Sequence, residues 1–135
     1  MGQKIYLDTN LYIAFFEGRV DVSEKVEKLI LASIEKETFI IASPLIITEL
    51  LVAPLRENET ELSDVYKNLR NYIKNMVFVD FSLKISEIAA RLRAKYDLAT
   101  PDCIHLATAI EGGAKIFYTA DKRIKKVNEI KVELI

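Results

Sequence analysis

The chain has 135 residues, half of them hydrophobic and 29% charged, which fits one globular domain able to bury roughly two-thirds of its unfolded surface. With 19 basic against 20 acidic residues the formal charge is −1, so net charge announces no polyanion partner, and any nucleic-acid surface must be local. The one cysteine, Cys103, excludes an internal disulfide and suits a reducing cytoplasm.

No basic region followed by an apolar stretch opens the chain, so no signal peptide is expected. The longest apolar run, Phe39–Leu55, is shorter than the ~20 residues of a membrane span and contains Pro44, Glu49 and Pro54. A buried strand, a turn and a buried helix account for it better, and a soluble protein is expected.

Taken in order, Lys4–Leu7 reads as a short apolar strand, with a helix beginning around Leu11. Asp21-Val22-Ser23-Glu24 resembles a capping box, ahead of apolar positions Val22, Val26, Leu29, Ile30 and Ile34 at a 3.6 period. Phe39–Ala42 is a second strand, and Ser43-Pro44 supplies a cap and a first-turn proline for the next helix. Polar residues Glu57–Thr60 lead into a helix with Leu62, Val65, Tyr66, Leu69 and Ile73 inward.

Val77-Phe78-Val79 is the third strand, and Ile85, Ile88, Ala89, Leu92 and Tyr96 mark a helix. Thr100-Pro101 opens the last helix and Gly112-Gly113 ends it, before strands at Lys115–Thr119 and Lys131–Ile135. Strands alternating with helices imply βαβ units and a mostly parallel sheet covered on both faces, in one α/β domain without linker or repeats.

Four carboxylates stand out. Asp8 closes the first strand and Asp121 follows the fourth, where open parallel sheets place their ligand sites. Asp102 lies just inside a helix start, and Glu49 is the only charge between Phe39 and Leu55. Each also has an ordinary reading. Asp8 and Asp121 can cap the turns behind them, and the helix dipole favours Asp102 without any chemistry. An unpaired buried Glu49 would cost several kcal/mol, so it should be protonated, paired or bound to a cation, unless it joins a polar stripe with Thr48 and Arg56. Clustered carboxylates repel unless a cation joins them, and hard oxygens suit Mg²⁺ or Mn²⁺.

Asp80 also follows a strand, yet Ser82 and the helix behind it give it a plain turn role. His105, without Cys or His partners, makes no zinc site and is assigned no ligand role. Cys103 and most Tyr and Phe positions read as core.

The segments Leu7-Asp8-Thr9-Asn10, Thr48-Glu49-Leu50, Thr100-Pro101-Asp102 with Ala107-Thr108-Ala109, and Thr119-Ala120-Asp121 resemble the successive motifs of PIN domains. The similarity is greatest to the small VapC type of toxin, and it covers nearly the whole of residues 1–135. It implies a three-layer α/β/α sandwich and metal-dependent cleavage of RNA. It also implies frequent homodimers and, in toxin–antitoxin pairs, a small antitoxin that blocks the active site. Carried over by motif, Asp8, Glu49, Asp102 and Asp121 are the acidic quartet, with Asn10 and Thr119 as polar supports. Asn10 stands where Ser or Thr is common.

On that reading Asp8 and Asp102 are the main ligands of Mg²⁺ or Mn²⁺, Asp121 completes the site directly or through water, and Glu49 orients a water or takes its proton. Phosphate contacts would come from Lys122, Arg123, Lys125 and Lys126, or from Arg91, Arg93 and Lys95, though charge runs are usually solvated faces. Other readings stay open: a non-catalytic binding module, a nuclease of RNA processing or DNA cleavage, or a phosphoryl-transfer domain with Asp8 as nucleophile. The last lacks a second Asp at position 10 and a well-placed lysine.

Overall fold

The computed structural model describes residues 2–18 and 20–135, apart from the side chains of Val20 and Asp21. Strands β1 (Lys4–Leu7), β2 (Phe39–Ala42), β3 (Met76–Phe78), β4 (Ile116–Thr119) and β5 (Lys131–Leu134) form one sheet in the order β3-β2-β1-β4-β5. Every pairing is parallel, with Ile5 registered on Ile40 and on Ile116. Among the described residues, six helices flank the sheet in a three-layer α/β/α sandwich: α1 (Thr9–Glu17), α2 (Val20–Glu35), α3 (Leu45–Arg56), α4 (Thr60–Lys67), α5 (Leu83–Tyr96) and α6 (Thr100–Glu111).

The apolar runs become strands because both faces are covered: Ile5, Tyr6, Leu7, Ile40, Ile41 and Phe117 are all nearly or fully buried. Tyr6 stacks on Phe117 at 5.1 Å between ring centres, tying β1 to β4 through the core. Ser43 caps α3 as expected, its Oγ accepting from Leu45 N at 3.1 Å. Gly112 allows the end of α6 to press on the sheet, since a Cβ there would lie 2.7 Å from Ile41 Cγ2. Gly113 follows at φ +80°, in the left-handed region.

Three expectations change. α2 already begins at Val20, and the proposed cap Asp21 has its side chain outside the described residues. α4 stops at Lys67 rather than continuing to Ile73, because the Asn68 side chain turns back to Asp64 O at 2.8 Å and competes with the helical ladder. A 3-10 turn, Leu69–Asn71, follows and still buries Leu69. Finally, α3 is not buried all round: Val52 and Leu55 are about half exposed. Phe39, Tyr72 and Phe81 are likewise surface residues rather than core.

β1 lies between β2 and β4, so the chain first winds one way from β1 and later returns on its other side. The carboxyl ends of β1 and β4 therefore bound the crevice where strand order reverses, the usual ligand position in such sheets. Among the described residues no helix is long and apolar enough to cross a membrane.

Candidate active site

Asp8 leaves β1 with its backbone still in the sheet, its N–H donating to Tyr118 O at 2.9 Å. The side chain is only 7% exposed. Oδ1 accepts from Thr9 N at 2.9 Å and caps α1, while Oδ2 accepts from Thr119 Oγ1 at 2.7 Å. Burial pushes the Asp8 carboxyl up from its ordinary range against the lowering effect of the Thr119 hydrogen bond.

Thr119 is fully buried at the end of β4 and links two of the acids. Its hydroxyl donates to Asp8 and accepts from Asp121 N at 3.0 Å. Asp121 caps the 3-10 turn Lys122–Lys126 by accepting from Arg123 N at 2.9 Å. The Arg123 guanidinium then folds back on the same carboxylate, with Nη2 at 2.6 Å from Oδ2. Those hydrogen bonds hold the Asp121 carboxyl below the usual range.

Asp102 sits in the first turn of α6, where the helix dipole favours its charge. It caps nothing. Burial, then the charge of nearby Asp8, pushes its carboxyl up, while Arg123 opposes the shift from 4.0 Å. Arg123 thus lies between Asp102 and Asp121 and bridges these two members of the quartet.

Glu49 projects from α3 toward α6. Its Oε1 takes hydrogen bonds from Thr9 Oγ1 at 2.7 Å and from His105 Nε2 at 2.5 Å. His105 is 1% exposed, and its Nδ1 lies 2.6 Å from Tyr6 Oη. Tyr6 Oη also accepts from Ser43 N at 3.2 Å. The imidazole carries a proton on Nε2, which it donates to the Glu49 carboxylate. Burial raises the Glu49 carboxyl, but the His105 and Thr9 hydrogen bonds outweigh it and leave the group below its ordinary value. Both donors meet Oε1, which leaves Oε2 without a hydrogen bond from the described residues.

All four predicted acids therefore gather at the carboxyl end of the sheet, linked in pairs. Thr9 touches both Asp8 and Glu49, Thr119 joins Asp8 to Asp121, and Arg123 joins Asp121 to Asp102. They do not converge on one point: among the described residues no three His, Cys, Asp or Glu side chains stand close enough to hold a metal ion as placed. The set nonetheless fits a hard divalent ion chemically. Asp8 and Asp102 repel each other, and a guanidinium already stands in as the cation between Asp102 and Asp121.

Two supports differ from expectation. Asn10 is exposed and makes no hydrogen bond to the quartet among the described residues; its neighbour Thr9 does that work. His105, read as an isolated structural histidine, is the partner of Glu49. Asp80 is exposed and Cys103 is buried in the core, as expected.

A parallel sheet with acids at its topological switch point defines an α/β protein whose candidate ligand site lies at the carboxyl ends of its strands. The chain belongs to the PIN domain family, whose model matches residues 5–130. No curated protein sequence matches it significantly. Among solved structures, it is similar to VapBC2 from Rickettsia felis bound to a DNA fragment from its promoter, at 19% identity and a TM-score of 0.73 over 98% of each chain. A toxin-antitoxin complex from Klebsiella pneumoniae gives 22% identity and 0.67, covering 93% of this chain and 94% of that one. DNA-bound VapBC from Salmonella typhimurium gives 14% and 0.72 over 98% of both.

Proposed function

We propose that this chain is a divalent-metal-dependent endoribonuclease, the toxin of a toxin–antitoxin pair, acting in the cytoplasm. The observation that carries the reading is the joining of Asp8, Asp102, Asp121 and Glu49 at the switch point of a PIN sheet. Asp8 and Asp102 would hold Mg²⁺ or Mn²⁺, with Asp121 completing the site once Arg123 releases it. The bound ion would supply a Lewis acid for the phosphoryl oxygen and a water of lowered pKa. Glu49, fixed through Oε1 and free at Oε2, would orient that water and accept its proton. Thr119 and Thr9 keep Asp8 and Glu49 in place, while His105 and Tyr6 hold Glu49 from behind.

The solved structures similar to this chain include toxin–antitoxin complexes, which supports a small antitoxin as partner. A homodimer remains part of the proposal on family grounds.

Arg123 between Asp102 and Asp121, with no three acids converged, favours one second reading: a binding module without turnover. Hydrolysis of mixed single-stranded RNAs, with Mn²⁺ or with EDTA, by the natural chain and Asp8→Asn separates the two. The nuclease reading expects Mn²⁺-dependent products from the natural chain alone. Mn²⁺ binding without hydrolysis would leave the module.

A further inference from the structure

Several cations of the basic clusters marked by sequence already have partners within the chain. Arg123 pairs with Asp121, Lys125 donates to Val132 O at 2.8 Å, Arg91 pairs with Glu87, Lys95 pairs with Glu129, and Arg93 donates to Leu98 O. Lys122 and Lys126 of those clusters have no carboxylate partner among the described residues, and further cations of this kind line a groove elsewhere.

A groove of about 550 Å³ runs along the carboxyl ends of β2 and β3, beside Thr48, the neighbour of Glu49 on α3. That volume lies within the range of small-molecule sites. Lys67, Arg70, Asn71 and Phe78 line it, and none of its lining residues is acidic. Neither Lys67 nor Arg70 has a carboxylate partner among the described residues. Arg70 instead lays its guanidinium over the Phe78 ring, 5.6 Å from the centroid.

Position matters as much as composition. Phe78 ends β3 in register with Ala42 of β2, and β2 neighbours β1, whose end carries Asp8. Two strand spacings put the groove on the order of 10 Å from Asp8 along the same sheet edge. That distance is within reach of the next nucleotides of an extended strand.

We propose that this groove binds a nucleotide of single-stranded RNA flanking the scissile phosphate. One base stacks on the Arg70 guanidinium, backed by Phe78. Lys67 and Arg70 neutralise phosphates, and the Asn71 amide offers hydrogen bonds to a base edge. This rests on the ribonuclease reading of the acidic centre and names a second contact for the same substrate.

The test uses full-length Asp8→Asn protein, whose RNA stays intact on the nuclease reading, and a fluorescent mixed-sequence single-stranded oligoribonucleotide titrated at several salt concentrations. Adding Lys67→Glu and Arg70→Glu should weaken binding at least tenfold, on the stacking and charge lost together. The salt slope should flatten by about 1.4, from two contacts at about 0.7 each. Arg70→Lys should weaken binding while keeping the slope, because the charge survives and the flat guanidinium does not. Both positions are exposed, and unchanged circular dichroism melts verify the fold. Equal affinity and slope in every variant overturn the groove while leaving RNA binding intact. No RNA binding even before groove substitution overturns both the groove and the nuclease reading.

Discussion

His105 Nε2 stands 2.5 Å from Glu49 Oε1, joining two residues 56 positions apart on α6 and α3. An imidazole held by Tyr6 on one side and Glu49 on the other is a positioning device: its orientation fixes which carboxylate oxygen faces the acids. His105→Ala would leave Tyr6 Oη without its imidazole partner in the core, at a cost of about 1–3 kcal/mol. It would also free Glu49 to swing. Urea denaturation should show the loss of stability, and RNA hydrolysis should fall by about 10- to 100-fold. His105→Gln, which keeps a donor near Glu49, should recover part of the activity. Full activity in His105→Ala would remove the positioning role.

Asp8→Asn tests the other side of the centre. The amide keeps an oxygen for Thr9 N or Thr119 Oγ1, so the fold should survive while charge at the site is lost. RNA hydrolysis should disappear, with a cooperative thermal melt no lower than that of the natural chain. Persistent metal-dependent hydrolysis in this variant would take Asp8 out of the mechanism.

The acids also set a pH dependence whose sign differs between members. Asp8 and Asp102 are raised, Asp8 by burial and Asp102 by burial and then by Asp8 itself. Their ionised forms therefore oppose folding at neutral pH, and that opposition fades as pH falls through their raised folded values. Glu49 is lowered, so its stabilisation is present above its unfolded value and lost as pH falls through the folded one. Asp8→Asn should accordingly gain stability relative to the natural chain at neutral pH. The gain should shrink on acidification toward about pH 4. A stability difference constant across that range, measured by denaturation at each pH, would contradict the assignment.

Arg123 gives a prediction about metal rather than stability. Because its guanidinium bridges Asp121 and Asp102, it competes with any other cation for those oxygens. Arg123→Ala should bind Mn²⁺ more tightly than the natural chain in calorimetry. Weaker binding would show that Arg123 helps to build the site.

Strand positions were legible because a parallel strand buried on both faces writes itself as a continuous apolar run, and β1 and β2 fall on the expected residues. The acids were legible because Asp8 and Asp121 follow such runs directly. α4 was misjudged because the periodicity of Leu69 and Ile73 outlasts the helix, whose end is decided by the Asn68 side chain. The Glu49–His105 bond was hidden because only the fold brings α3 against α6. Burial of Glu49 was expected from an all-apolar helix; instead α3 exposes Val52 and Leu55, and Thr9 with His105 draws the carboxylate inward. The partners of Lys95 and Lys125 were equally hidden, since Glu129 and Val132 O are supplied by tertiary structure.

The most direct measurement is anomalous diffraction from crystals of this protein soaked in Mn²⁺. Ligation by the quartet should give a peak about 2 Å from carboxylate oxygens of Asp8 and Asp102, with the Arg123 guanidinium moved off Asp121. Crystals that take up Mn²⁺ only elsewhere, with Arg123 still bridging Asp102 and Asp121, would contradict a metal nuclease centre.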